Sequence, residues 1–127
     1  MAVVLPFAGG RHLLADLWVD DPEPLRHVAL WERLLPEACR AAGATVLAAH
    51  FHQFTPEGVT GVVLLAESHA SVHTWPEAGL ATLDVFTCGA MDAAAVLAHV
   101  RAALGPTRER VTVVERGGAP VPVLPGV

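Results

Sequence analysis

Between Ala44 and Cys88 the chain reads as consecutive apolar or alternating runs with little but turn residues between them. "ATVLAAHFHQF" (44–54) and "GVTGVVLLA" (58–66) are β-branched or apolar, and the "TPEG" between them carries Pro56 and Gly58, so the pair reads as a hairpin. "HASVHTW" (69–75) alternates, and Pro76 and Gly79 interrupt it. "LATLDVFTC" (80–88) then alternates again, with Leu80, Thr82, Asp84 and Phe86 on one side and Ala81, Leu83, Val85 and Thr87 on the other. Strands joined by hairpins pair antiparallel, since parallel neighbours need a crossover of about a dozen residues.

The flanks supply helices and outer strands. "RHLLADLWVD" (11–20) puts Leu13, Ala15, Leu17 and Val19 on one face and His12, Leu14, Asp16 and Trp18 on the other, which predicts a strand. From Asp21, a candidate cap, with Pro22 or Pro24 in the first turn, Leu25, Val28, Leu35, Ala38 and Ala42 follow a helical period as far as Gly43. Asp92 caps a second helix through Leu104, "RERVTVVER" (108–116) is a last strand, and "GGAPVPVLPGV" (117–127) is too rich in Gly and Pro for a regular element. The order β-α-β-β-β-β-α-β predicts an α+β fold: a two-layer α/β sandwich with a mostly antiparallel sheet and both helices on one face.

Composition narrows the partners. A length of 127 residues with 53% hydrophobic content suits one domain, residues 1–127, with an ample core. A net charge of −5 without a Lys/Arg cluster argues against nucleic acid. No apolar stretch approaches the roughly 20 residues that span a bilayer, and "MAVVLPFAGGRH" lacks the basic n-region and longer apolar core of a signal peptide, so no membrane partner and a cytoplasmic location are expected. The two cysteines, Cys39 and Cys88, are too few for a disulfide framework and are read as free thiols.

The chemistry is concentrated in "AESHASVHTWPE" (66–77), which crowds two serines, two histidines and two glutamates against the end of an apolar strand. His69-x-x-x-His73 would converge on a metal if helical, but on a strand the rings stand about 13 Å apart at about 3.3 Å per residue. Pro76 with Val72 and Thr74 disfavours a helix here, so no metal is expected. Ser68 or Ser71 with a histidine and Asp84 has the residue types of a hydrolase triad, yet the G-x-S-x-G frame is missing.

"ESHASVHTWPEAGLATLDVFTCG" (67–89), with "GRHLLADLW" before it, "GATVLAAHFHQFTPEGVTGVVLLAESH" leading into it and "VTVVERG" near the end, resembles the bacterial and archaeal S-adenosylmethionine decarboxylases, small pyruvoyl-dependent enzymes of polyamine (spermidine) synthesis. The resemblance covers most of the chain. It implies self-cleavage between Glu67 and Ser68 into a β chain, 1–67, and an α chain, 68–127. Ser68 attacks the Glu67 carbonyl to form an ester; elimination and loss of ammonia leave a pyruvoyl group at position 68. His73 matches the processing base, and imidazole suits that role because as a type it titrates at about 6.5. The pyruvoyl ketone condenses with the substrate amine as a Schiff base and replaces pyridoxal phosphate as electron sink. Cys88 matches the acid that protonates the product; a thiol, at about 8.5 as a type, holds its proton at neutral pH.

By the same resemblance Phe54 and Trp75 offer surface to adenine and Glu77 holds the nucleoside, and a homodimer places its sites near the interface. Thr60 stands where relatives more often carry a serine that assists processing; it keeps the oxygen but restricts χ1. Cys39 lies among small helical residues and reads as core. Two further readings stay open on the sequence: the same pyruvoyl chemistry on ornithine or arginine, and an unprocessed binding or regulatory homologue.

Overall fold

The structure of the protein, a computed structural model, describes residues 9–88 and 91–126. The leader residues 1–8 and Gly89, which closes the Phe-Thr-Cys-Gly run, lie outside the described residues. Strand β1 (Gly10–Trp18) leads through a short 3-10 turn (Glu23–Leu25) to helix α1 (Val28–Ala41). Strands β2 (Val46–Gln53), β3 (Val59–Leu65), β4 (Ser68–Trp75) and β5 (Leu80–Thr87) then run back and forth, and helix α2 (Ala93–Leu104) precedes strand β6 (Arg108–Arg116). All neighbours pair antiparallel in one sheet of order β2-β3-β4-β5-β1-β6. The expected α+β sandwich is the observed one.

Period-two alternation decides which side of the sheet is dry. Leu13, Ala15 and Leu17 of β1, Val59 and Val63 of β3, Ala70 and Val72 of β4, and Ala81, Leu83 and Val85 of β5 are all buried. Trp31, Leu35 and Cys39 of α1 and Val96, Leu97 and Val100 of α2 cover them. Gly61 belongs to this face for a steric reason: a Cβ there would lie 2.0 Å from the Phe51 ring, its cross-strand partner on β2. Trp31 is fully buried, and its indole N–H is satisfied by the Pro24 carbonyl at 3.0 Å.

The first helix begins later than its sequence pattern predicts. Asp21 accepts from the Glu23 N–H at 3.0 Å at the entry to the 3-10 turn, and α1 starts only at Val28. Its cap comes from another element: Gln53 on β2 accepts from the Val28 N–H at 2.8 Å and donates to the Arg26 carbonyl at 2.8 Å. For α2 the local reading holds, since the Asp92 side chain accepts from the Ala94 N–H at 3.0 Å and Gly105, at φ 60°, ends the helix at Leu104.

Among the described residues no helix covers the opposite sheet face. Leu14, Val62, Leu64 and Trp75 are exposed on it, 40–51% for the three aliphatics and 42% for the tryptophan. His12, His69, Ser71, His73 and Asp84 stand on the same face by the alternation of β1, β4 and β5. Among the described residues no helix is long and apolar enough to cross a membrane.

Candidate active site

The chain turns from β3 into β4 at Ala66–Glu67, and the turn is tied to the loop after α1. Ala66 N–H donates to the Thr45 carbonyl at 3.0 Å, and the Glu67 carboxylate accepts from the Thr45 N–H at 2.9 Å. Ser68 follows with φ 155°; among the described residues it is the one non-glycine residue with positive φ. Such a backbone costs about 1–3 kcal/mol and persists only where its surroundings hold it. The register does the rest. Ser68 pairs with Thr87 on β5, so Cys88, one residue on, comes alongside the Glu67 carbonyl, and its thiol donates to that oxygen at 3.2 Å.

Next to Ser68 lies a polar cluster on the uncovered face. Ser68 Oγ is 3.3 Å from His69 Nδ1, and His69 Nε2 is 3.1 Å from Asp84 Oδ2. Asp84 also meets His12 Nε2 at 2.6 Å and accepts from the Ser71 hydroxyl. Burial acts to raise the Asp84 carboxyl, but the hydrogen bonds from Ser71, His12 and His69 outweigh it, and the group titrates below its ordinary value. Phe86 braces the cluster: the His69 ring stacks on it at 6.2 Å, the His12 ring meets it edge-on at 5.3 Å, and the Arg116 guanidinium lies 5.4 Å from its centre.

At the other end of β4 a second group gathers. Thr60 on β3 and His73 on β4 are cross-strand partners, and Thr60 Oγ1 lies 3.0 Å from His73 Nδ1. Phe54, Trp75 and Glu77 line the same cleft of about 250 Å³, with the buried Thr74 and Pro76 as its floor. Thr74 is fixed there by donating to the Leu25 carbonyl at 2.7 Å and accepting from the Val59 N–H at 2.9 Å. Phe54 and Trp75 are 46% and 42% exposed, so neither is a core aromatic.

Residues 11–117 match the family model for S-adenosylmethionine decarboxylase. The chain belongs to this family. Among its relatives, the S-adenosylmethionine decarboxylase proenzyme of Sulfurihydrogenibium sp. is 45% identical over 113 residues, 88% of this chain and 85% of that protein. The proenzyme of Aquifex aeolicus is 47% identical over 109 residues, 85% of this chain and 81% of that protein. The crystal structure of the adenosylmethionine decarboxylase from Aquifex aeolicus superposes with a TM-score of 0.81 at 41% identity, covering 94% of this chain and 99% of that one.

Within this decarboxylase-family fold, the residues expected for chemistry divide between two places. Glu67, Ser68 and Cys88 meet at the start of β4; Thr60, His73, Phe54, Trp75 and Glu77 meet at its end. Five residue steps along β4 separate Ser68 from His73, roughly 16 Å at about 3.3 Å each. His73 therefore does not reach Ser68 of its own chain. Cys39 is fully buried, and burial pushes its thiol up to about 11, as befits a core residue.

The sequence reading weighed a serine, a histidine and Asp84 only as a hydrolase triad, and did not foresee the cluster in which His12 and Arg116 join His69 and Asp84. Its signal was available in part, because His12 and Asp84 fall on the same side of their alternating runs. His12, His69 and Asp84 present three ligand atoms within 4.8 Å of one another, a spacing that suits a metal ion. The donor set argues otherwise. Arg116 Nη1 lies 3.1 Å from His12 Nδ1, and a guanidinium only donates, so the His12 proton sits on Nε2, the atom a metal would need.

Proposed function

We infer that the protein is a self-processing S-adenosylmethionine decarboxylase whose active group is made from Ser68. The observation that carries this is the contact between the Cys88 thiol and the Glu67 carbonyl, directly beside a serine held in a strained backbone. A hydrogen bond to that oxygen is stronger once it carries the negative charge of the tetrahedral intermediate than in the resting amide, so it favours attack by Ser68 Oγ. Expulsion of the Ser68 nitrogen converts amide to ester and releases the strained peptide link. Loss of the serine α-proton then expels the main-chain carboxylate of Glu67, the new C-terminus of fragment 1–67, and hydrolytic loss of ammonia leaves a pyruvoyl group at residue 68. The pyruvoyl group supplies an electron sink for decarboxylation of an α-amino acid. Cys88, still beside residue 68, holds a proton for the substrate carbon.

The base for the α-proton is His73, supported by Thr60, supplied by a second copy of the chain. Ser68 and His73 are too far apart on one β4, whereas a second sheet laid on the uncovered face brings the far end of its own β4 against Ser68. Leu14, Val62 and Leu64 give that face the apolar surface such a contact buries. The same arrangement sets the cleft of Phe54, Trp75 and Glu77 beside the pyruvoyl group, where aromatic faces suit adenine and a carboxylate suits ribose hydroxyls. The cleft is sized for a nucleoside portion with the amino-acid end reaching across to residue 68. The name "proenzyme" borne by the relatives supports a precursor that must mature.

Intact mass spectrometry tests the reading. The matured protein is expected as fragments 1–67 and 68–127, the second without a free amino group, while Ser68→Ala stays whole. A wild-type chain that remains uncut with an ordinary serine at 68 overturns it.

A further inference from the structure

Arg116, at the sheet edge, decides where the protons sit in the cluster beside Ser68. Since Arg116 only donates, His12 Nδ1 is an acceptor and the single proton of the neutral ring lies on Nε2, aimed at Asp84 Oδ2 2.6 Å away. The Asp84 carboxylate offers lone pairs alone, so the His69 nitrogen 3.1 Å from it, Nε2, must be the one that carries a proton. His69 is left with a free lone pair on Nδ1, and that atom is the one 3.3 Å from Ser68 Oγ. The run Arg116–His12–Asp84–His69–Ser68 crosses β6, β1, β5 and β4, and each link has a donor facing an acceptor.

We propose that His69 is the base that takes the Ser68 hydroxyl proton at the start of self-cleavage, and that Asp84, His12 and Arg116 are positioning residues that keep its Nδ1 free. The proposal rests on the self-processing reading and divides its proton transfers: His69 serves the acyl shift, His73 the later elimination. The proton leaves Oγ for His69 Nδ1 as Oγ bonds to the Glu67 carbonyl carbon. The bond from that carbon to the Ser68 nitrogen then breaks, and the proton returns from His69 to the departing amine. No other reactant is consumed. Phe86 fixes the ring plane by stacking, and Asp84 stabilises the transient imidazolium. The titratable and charged groups meeting this ring are Asp84 directly, with His12 and Arg116 behind it; β3 presents Leu64 opposite.

Hydroxylamine separates this base from the other, because it cuts an ester and leaves an amide. In His69→Ala the self-cleavage rate should fall about 10²- to 10⁴-fold, the range for a lost general base. The uncut chain should resist hydroxylamine, and added imidazole should restore cleavage, a rescue that an unfolded chain would not show. His69→Gln should behave likewise without rescue. Asp84→Asn should slow cleavage, because an amide no longer dictates the His69 tautomer, and Asp84→Glu, which keeps a carboxylate, should restore part of the rate. His73→Ala, by contrast, should accumulate a hydroxylamine-labile chain.

His69 variants that mature at the wild-type rate or accumulate the labile ester, or a His69→Ala chain that folds normally yet gains nothing from imidazole, overturn the proposal alone. A wild-type chain that never leaves the amide state overturns it together with the self-processing reading.

Discussion

The two ends of β4 differ in what holds their side chains: the Ser68 end is locked by hydrogen bonds across the sheet, and the Trp75 end stands open. At the Ser68 end, Cys88, His69, Asp84, His12 and Arg116 are locked to one another and to the backbone by hydrogen bonds that cross the sheet. At the Trp75 end, Thr60 and His73 touch each other, while Phe54, Trp75 and Glu77 stand half open around a cleft with no partner across it. A cleavage confined to one peptide bond needs groups held in a single geometry. A cleft that must admit and release a nucleoside needs exposed walls. In the dimer proposed above, one strand would serve both, because the roughly 16 Å between Ser68 and His73 lets its two ends belong to different sites.

The sharpest way to break this comparison is to place the two halves on different chains. Neither Ser68→Ala nor His73→Ala alone should form the pyruvoyl chain. When the two variants are co-expressed with distinct tags, the His73→Ala chain should mature, because its intact Ser68 meets His73 of the other copy. The Ser68→Ala chain should stay whole. Maturation of neither chain in a verified mixed dimer would return His73 to its own Ser68, against the roughly 16 Å that strand geometry sets between them.

Cys88 belongs to the Ser68 end but is expected to act in both stages, so its replacement sharpens the division. In Cys88→Ala the Glu67 carbonyl loses one donor, and self-cleavage should slow by about 2- to 10-fold, the worth of a neutral hydrogen bond. Turnover by the matured enzyme should fall by about 10²- to 10⁴-fold for want of an acid at the substrate carbon. Mature enzyme should also inactivate as misplaced protonation passes the substrate amine to the pyruvoyl carbon. Cleavage timed by gel and carbon dioxide release assayed on matured protein give the two numbers separately. Unchanged turnover by the matured Cys88→Ala protein would mean that Cys88 acts only in making the group.

Much of this was legible in the chain because strand alternation is local. Counting twos along β1 and β5 put Leu13 and His12, and Leu83 and Asp84, on opposite faces of their strands, and the structure buries Leu13 and Leu83 while leaving His12 and Asp84 outside the core. The start of α1 was not legible, because the group that caps Val28 is Gln53, 25 residues on and in another strand. The insertion of β1 between β5 and β6 has the same character: it brings Arg116 to His12 across 104 residues, and no spacing in the sequence announces it. The motif from Glu67 to Cys88 pointed to candidate reacting residues, yet a motif has no geometry. The division between the two ends appears only when Ser68 is paired with Thr87 and Thr60 with His73.

The cleft end carries the smallest expected effects, and within it the polar wall should outweigh the aromatic ones. A hydrogen-bonding group left unpaired on binding costs about 1–3 kcal/mol, or about 5- to 150-fold, while an aromatic contact contributes about 0.5–1.5 kcal/mol beyond burial, or about 2- to 13-fold. Glu77→Gln should therefore weaken use of S-adenosylmethionine more than Phe54→Ala or Trp75→Ala. Both rings are nearly half exposed in the single chain, and the adenine they would hold has two faces to share between them. All three variants should leave self-cleavage at its wild-type rate, since nothing in the cleft beyond Thr60 and His73 has a part in it. The measurement is kcat/KM for S-adenosylmethionine beside ornithine and arginine on fully matured protein. A Glu77→Gln enzyme with full activity on the nucleoside, or a wild type that prefers a cationic amino acid, would detach the cleft from adenosine recognition and leave the Ser68 end standing alone.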